Sequence, residues 1–263
     1  DVGKTVYVYG AGASGAPLKT TIATFTNGTT VELADNAATT VSGAEYLYGT
    51  DDTAAMILAA ADMEDNDAMA FPAGAMIVSR NGFSDFTPVF GNAAFEVNNV
   101  DNVSVFGSRT RIYCVDHDIT TYGGLMAFRF KNCNGTRISG FDFDMTFTGA
   151  KDSASFYPNC GAIVAVDESD ADGQASADLN GDFVAFDNTF KLFHPNGQYQ
   201  QSNNAYAGDS NNGYKMYGIT FLGATDGDTY AEQSRNVRTF RTTLEEGQNR
   251  NGIKVLSLHN ATF

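Results

Sequence analysis

The sequence predicts an all-β fold made of many short strands, and three observations support this class. The chain has 263 residues, with 27 Gly but only 5 Pro, and together with abundant Asn, Thr and Asp this composition indicates frequent turns between short strands. Long helical heptads are missing. Five apolar or turn-forming positions between Phe95 and Gly107 recur 33 residues later, between Phe128 and Gly140, as expected for repeated strands.

Residues 1–48 are predicted to form a small β lead-in. Two β-branched runs, Thr20–Thr26 and Thr30–Leu33, read as strands, and Asn27-Gly28 between them is a typical hairpin turn. Gly10 to Gly15 matches the G-x-G-x-x-G dinucleotide motif. Because Pro17 and the β-branched run follow, no helix N-terminus is expected to meet a pyrophosphate, and the sequence does not predict a dinucleotide site.

A short helix is predicted directly after the lead-in. Asp51 and Asp52 lie where a helix start needs side-chain acceptors and negative charge. An apolar stripe at helical spacing is expected to face the rest of the fold, and it consists of Ala54, Ile57, Leu58 and Ala61. The acidic and polar run 64–67 ends this helix, and strand-forming residues follow from Ala68 to Ser79.

This opening resembles a known family. The segment GTDDTAAM (49–56), the Ala-rich helix and FPAG (71–74) are similar to the start of the pectate-lyase-like right-handed parallel β-helix found in bacteriophage tailspikes and tail fibres. The resemblance implies an all-β right-handed parallel β-helix (solenoid) at 49–263 with an N-terminal capping α-helix, preceded by the small β lead-in at 1–48. Because Phe263 ends the sequence in the middle of a strand-like run, we also expect that the chain is truncated at its C-terminus.

The same resemblance implies a function. It indicates a virion tailspike or tail-fibre subunit on the virion tail, assembled as a homotrimer with other virion tail proteins. Such a subunit binds bacterial surface polysaccharide and in some members cleaves it as a depolymerase, by hydrolysis or by elimination. Two alternatives stay open: a non-catalytic structural or adhesive β-helix of a phage tail or cell-surface appendage, and a secreted pectate-lyase-like enzyme.

Net charge limits the classes of partner that the chain can bind, and the cysteine spacing indicates the state of the thiols. With 31 acidic and 16 basic residues the net charge is −15, which argues against a nucleic-acid partner and favours a neutral or weakly charged polymer over a strongly anionic one. No signal peptide or membrane span is recognised in the sequence. The three cysteines lack zinc-type spacing, and we expect buried free thiols.

Two carboxylates are the candidate catalytic residues. Phe141, Asp142, Phe143 and Asp144 alternate strictly, so inward phenylalanines would leave both carboxylates on one outer face. Their separation along a strand, about 6.6 Å, is within reach of the paired acid and base of a glycoside hydrolase. An ordinary half-buried strand shows the same alternation, so a purely structural role is the alternative.

Two polar stretches supply the remaining candidate sites. The acidic run near 167–178 is a candidate Ca²⁺ site with Asp170, Asp172 and Asp178 as ligands, although a solvated acidic loop has the same composition. Tyrosines in polar surroundings are candidate platforms for sugar rings, because a tyrosine combines an apolar face with a polar tip. These glycan-binding candidates are Tyr157, Tyr199 and Tyr206.

Overall fold

A computed structural model describes the chain in nine segments, and all structural statements below refer to them. The described segments are residues 1–79, 92–115, 125–146, 159–166, 182–192, 215–222, 234–247, 251–256 and 258–262. They contain one α-helix, α1 (Thr53–Ala61), and eighteen strands arranged in three sheets.

The lead-in is a four-stranded antiparallel sheet. It consists of β1 (Thr5–Val8), β2 (Leu18–Asn27), β3 (Thr30–Leu33) and β4 (Tyr46–Gly49), in the order β3-β2-β1-β4. The predicted hairpin is confirmed: β2 and β3 pair antiparallel, and the Thr29 amide donates to Asn27 Oδ1 at 2.9 Å across the turn. Within residues 1–79 the glycine motif continues into a 3-10 turn at 13–15 and then into β2, so no phosphate-binding helix follows it.

Two parallel sheets contain the remaining strands, and the chain alternates between these sheets. The first, called the broad sheet, contains β5 (Ala68–Phe71), β6 (Gly74–Ser79), β8 (Ser104–Val115), β10 (Arg137–Asp144), β12 (Val184–Phe186), β13 (Thr189–Leu192), β15 (Ser234–Phe240), β16 (Thr243–Gly247) and β18 (Leu258–Thr262). The second, called the narrow sheet, contains β7 (Asn92–Asn98), β9 (Leu125–Lys131), β11 (Asn159–Val166), β14 (Lys215–Leu222) and β17 (Asn251–Leu256).

The 33-residue repeat predicted from the sequence is confirmed as strand register. Phe95 of β7 pairs with Phe128 of β9, and Val105 of β8 pairs with Ile138 of β10. Because paired residues point the same way, apolar residues align on the inner faces of both sheets. Phe128 is fully buried, with its ring centroid 5.4 Å from Phe95 and 4.9 Å from Phe141. A row of phenyl rings therefore forms the centre of the core.

The predicted fold class, an all-β right-handed parallel β-helix, is wrong. The described residues have a mixed architecture, in which an α-helix contributes to the main core and one antiparallel sheet accompanies two parallel sheets. The physical reason is that alternation and the 33-residue repeat specify which strands pair. They do not specify how strands are divided between sheets or which non-strand elements complete the core.

The predicted buried face of α1 is also wrong. Met56 and Ala60 are the buried apolar residues of the helix, whereas Leu58 is 69% exposed. The helix is apolar on most of its surface, so spacing alone cannot identify the buried side. Its buried side packs mainly against β7, the edge strand of the narrow sheet.

The start of α1 is fastened to the end of β6 by side chains rather than capped in the usual way. Asp51 Oδ1 accepts a hydrogen bond from the Thr53 amide at 3.0 Å, and Asp52 Oδ2 accepts one from the Ile77 amide at 2.9 Å. The Ser79 amide donates to Thr53 Oγ1 at 2.8 Å, and the Ser79 hydroxyl donates to Asp51. Asp52 occupies the N-cap position without a capping side-chain bond, so its predicted role passes to Asp51. We call this set, residues 51–53 with Ile77 and Ser79, the helix clamp.

A pair of glycines allows β8 and β10 to approach closely where both strands are interrupted. Gly140 has a φ of 79°, and a Cβ added there would lie 2.0 Å from the Gly107 carbonyl oxygen. The register between the two strands shifts at the same point, between Ser139 and Phe141. Only glycine fits this position, because both the backbone angle and the contact exclude a side chain.

We expect Gly140→Ala to lower the free energy of unfolding by more than about 3 kcal/mol, since it combines left-handed strain with a backbone clash. Urea denaturation followed by circular dichroism measures this change. Gly28→Ala is the matched control, because nothing lies within 4 Å of a Cβ at Gly28. Equal stabilities of the two variants would contradict the assigned role of Gly140.

Tyr7 gives a pH-dependent test of the junction between the lead-in and the helix clamp. Burial raises the pKa of Tyr7 to about 12; the Ser79 hydroxyl partly offsets this and the Asp51 charge adds to it. The unfolded chain then loses this proton at a lower pH than the folded chain, so stability falls as the pH rises from about 10 to about 12. We expect this fall to shrink in Tyr7→Phe, measured by urea denaturation across that range. An unchanged pH dependence in the variant would contradict the burial of this hydroxyl.

Candidate functional site

A pocket of about 380 Å³ lies where the lead-in meets the outer face of the broad sheet. One wall consists of the first two residues of β4 and the two residues before them, and the other is formed by β8, β10 and β13. Its lining residues are Ala44, Glu45, Tyr46, Leu47, Arg111, Tyr113, Asp144 and Lys191. The walls come from the antiparallel and the parallel parts of the chain, so the pocket depends on how these parts pack.

Strand alternation explains why polar side chains reach this pocket. Phe141 and Phe143 are buried at 0% and 1% exposure, so Asp142 and Asp144 lie on the opposite, outer face of β10, as predicted. In the register of the sheet, Asp144 lies beside Tyr113 on one neighbouring strand and Lys191 on the other. The predicted geometry of the two carboxylates is therefore observed, while their catalytic role stays a prediction.

Asp144 is the central carboxylate of the pocket. It is only 8% exposed, its Oδ1 accepts a hydrogen bond from the Thr146 amide at 2.9 Å, and its Oδ2 lies 3.5 Å from the Lys191 ammonium. In both contacts Asp144 serves as an acceptor, whereas a general acid has to donate a proton. The local contacts thus suit a residue that binds hydroxyl groups or cations.

Lys191 connects the two walls. Its ammonium lies 3.5 Å from Asp144 Oδ2 and 3.9 Å from Glu45 Oε1. The Asp144 side chain is 11% exposed and that of Glu45 is 52% exposed. The first contact is shielded from water and the second is not, so the ammonium is attached more firmly to the broad sheet than to the lead-in.

Arg111 is an exposed cation at the edge of the same pocket. A hydrogen bond with Tyr113 raises the pKa of Arg111 above its ordinary value, and the charges of Asp142 and Asp144 add to this effect. Arg111 lies beside Asp142 in the sheet register. Its guanidinium is therefore held near two carboxylates while still presenting donors to solvent.

Sequence reasoning missed most of these residues. The 33-residue spacing holds before Gly140, but the register shift places Asp142 beside Arg111, 31 positions earlier. Applied without that shift, the repeat aligns the wrong residues. Glu45 and Tyr46 belong to the lead-in, for which the sequence gives no orientation. The predicted candidates Tyr157, Tyr199, Tyr206, Asp170, Asp172 and Asp178 lie outside the described residues.

The described segments also bear on the predicted metal site, on the buried thiols and on membrane spans. Among the described residues, no group of three or more His, Cys, Asp or Glu side chains could hold a metal ion, and the predicted Ca²⁺ ligands lie elsewhere. The thiols of Cys114 and Cys133 are buried, as expected, and burial raises the pKa of Cys133 to about 11. In the described part of the chain, no helix combines the length and apolarity that a membrane span requires.

Comparisons with protein families, curated proteins and solved structures give no match to this chain.

The two contacts of Lys191 should differ in strength. We expect a double-mutant cycle with Lys191→Met and Asp144→Asn to give a coupling energy of about 1 kcal/mol, because the pair is largely shielded from water. The matched cycle with Lys191→Met and Glu45→Gln should give less than about 0.5 kcal/mol, as is usual for an exposed pair. Urea denaturation measures both cycles. Equal couplings would contradict the shielding of Asp144.

Proposed function

We propose that this protein is a virion tail subunit of the tailspike or tail-fibre type that binds a bacterial surface polysaccharide in the pocket between lead-in and broad sheet. The observation that carries the proposal is the composition of that pocket. It combines an exposed tyrosine, Tyr46, with the acceptors Glu45 and Asp144 and the donors Arg111 and Lys191. Binding of a sugar needs an apolar surface together with donors and acceptors for hydroxyl groups.

Tyr46 is the candidate stacking platform. It is 67% exposed at the pocket margin, so its ring is available to the apolar face of a sugar. The opposite wall supplies Asp144, whose acceptor contacts were described above, and the Arg111 guanidinium. Cations and carboxylates are balanced in this pocket, which fits a neutral or weakly charged sugar despite the net charge of −15.

The assignment to a virion tail rests on the resemblance of the segment GTDDTAAM at 49–56 to the opening of tailspike and tail-fibre proteins. In the structure this segment contains Asp51, Asp52 and Thr53 of the helix clamp, so its polar residues have a structural role in this chain. Assembly as a homotrimer with other tail proteins belongs to the same proposal. The proposal includes a depolymerase activity, for which the carboxylates Asp142 and Asp144 are the candidate catalytic residues. The alternative is a non-catalytic fibre.

The experiment compares two neighbouring tyrosines. Tyr46 and Tyr48 are both exposed and lie two residues apart on β4, but only Tyr46 lines the pocket. We expect Tyr46→Ala to weaken binding of a host surface polysaccharide about tenfold, as loss of a stacking aromatic typically does. Tyr48→Ala should bind like the wild type. Isothermal titration of the full chain against purified capsular and lipopolysaccharide glycans measures this difference.

Equal losses in both variants would contradict a site in the pocket, and an absence of binding across a broad glycan panel would contradict the polysaccharide function. The same mixtures report on catalysis. Shortened chains with a new double bond identify a lyase, and shortened chains without one identify a hydrolase. Binding without shortening identifies the non-catalytic fibre.

A further inference from the structure

A second outward surface of the broad sheet combines phenylalanines with arginines. It lies on the halves of the strands that precede the Gly107–Gly140 contact, away from the residues that line the pocket. We call it the arginine–phenylalanine face, and it consists of Phe106, Arg137, Phe186, Arg238, Phe240 and Arg241. Phe106 and Phe240 are 38% and 42% exposed, so their rings present apolar surface to solvent.

The register of the sheet creates a slot in this face. Phe106, Ser139 and Phe186 are direct neighbours on β8, β10 and β12, so the backbones of the two phenylalanines are separated by two strand spacings, about 9.6 Å. Ser139 is only 7% exposed, since it is a small residue with a large one on each side. The slot therefore has two apolar walls and a hydroxyl at its floor.

One wall of the slot is held rigidly. Phe186 and Phe240 stack with ring centroids 5.2 Å apart and an angle of 7° between their planes. The Arg241 guanidinium lies 5.0 Å from the Phe240 centroid and donates to Asp187 Oδ2 at 2.7 Å. Cation–π and ionic contacts of this kind fix aromatic rings at a surface. The wall is thus ordered before any ligand arrives.

The positive charge of the face is concentrated beside the slot. Arg137 lies two residues before Ser139 on the same side of β10, and Arg238 lies in the same register row, two strands away. Both are exposed, and neither has an ion-pair partner among the described residues. On a chain with a net charge of −15, two such arginines form a local site for anions.

We propose that the arginine–phenylalanine face binds an anionic polysaccharide, with a carboxylate-bearing sugar ring in the slot between Phe106 and Phe186 and its carboxylate on Arg137. A sugar ring has apolar faces for the two walls and hydroxyl groups for Ser139. The guanidinium of Arg137 offers the paired donors that a carboxylate accepts. The inference rests on the proposed polysaccharide function but uses a surface separate from the pocket.

Charge spacing argues for a polysaccharide over nucleic acid. Double-stranded DNA carries about one charge per 1.7 Å of its axis, whereas the backbone positions of Arg137 and Arg238 are separated by two strand spacings, about 9.6 Å. A polymer with widely spaced carboxylates matches this face, while a dense polyphosphate would be repelled more strongly by a chain with a net charge of −15. We therefore expect this face to bind an anionic glycan, although the net charge of the chain disfavours such partners elsewhere on its surface.

The test uses short oligogalacturonates and their methyl esters, which differ only in the charge of each sugar. We expect the full chain to bind the acid form, more weakly at high salt, and to bind the ester poorly. Arg137→Gln should weaken binding of the acid form about tenfold. Arg109→Gln is the matched control, because Arg109 is also exposed on β8 but lies beyond Gly107, outside the slot. Isothermal titration measures all four cases.

Ser139→Leu provides a second variant, since its larger side chain fills the floor of the slot and should abolish binding while circular dichroism stays unchanged. Tyr46→Ala should bind the acid form like the wild type, which separates this proposal from the pocket. Four outcomes would overturn it: no binding of the acid form, equal binding of the ester, equal affinities of the Arg137 and Arg109 variants, or equal binding of a single-stranded oligonucleotide. Self-association that is lost in Arg137→Gln would also overturn it, by making this face a subunit contact.

Discussion

In-register parallel pairing is the constraint on which the rest of this structure depends. When equivalent residues of neighbouring strands lie beside each other at about 4.8 Å, each side chain contacts others that point in the same direction. On the inner face this produces the row of Phe95, Phe128 and Phe141 rings. On the outer face it aligns Tyr113, Asp144 and Lys191. The same strand register therefore determines both which side chains meet in the core and which meet in the candidate site.

The contact between the antiparallel lead-in and the broad sheet positions the lead-in residues that line the pocket. Tyr7 and Leu47 of the lead-in pack with Ile77 and Val115 of the broad sheet in a small separate apolar cluster. This contact brings Glu45 and the segment around it over the outer face, where Asp144 and Lys191 lie. A change that loosens the cluster would open the pocket without touching any of its polar residues. Stability of the junction and integrity of the pocket are thus coupled.

Sequence reasoning succeeded where a local pattern has one structural meaning. The Asn27-Gly28 hairpin, the paired repeat from Phe95 to Phe128, and the shared face of Asp142 and Asp144 all follow from side-chain period and turn chemistry. It failed where several arrangements satisfy the same pattern. The fold class and the buried face of the helix depend on packing between distant segments. Arg111 lies beside Asp142 because the strand register shifts at Gly140, and the 33-residue repeat in the sequence does not predict that shift.

The helix clamp has a consequence for the order in which the chain folds. Thr53 and Ser79 are 26 residues apart, whereas the side-chain contacts between later strands join residues separated by 33 to 54 positions. Closing a loop costs conformational entropy that grows with its length, although slowly. The clamp therefore closes the shortest of these loops and fixes an edge on which β8 can pair. Among the parallel strands, a chain emerging from the ribosome would form this contact first and add later strands to it, whereas the contact of Glu45 with Lys191 has to wait for β13.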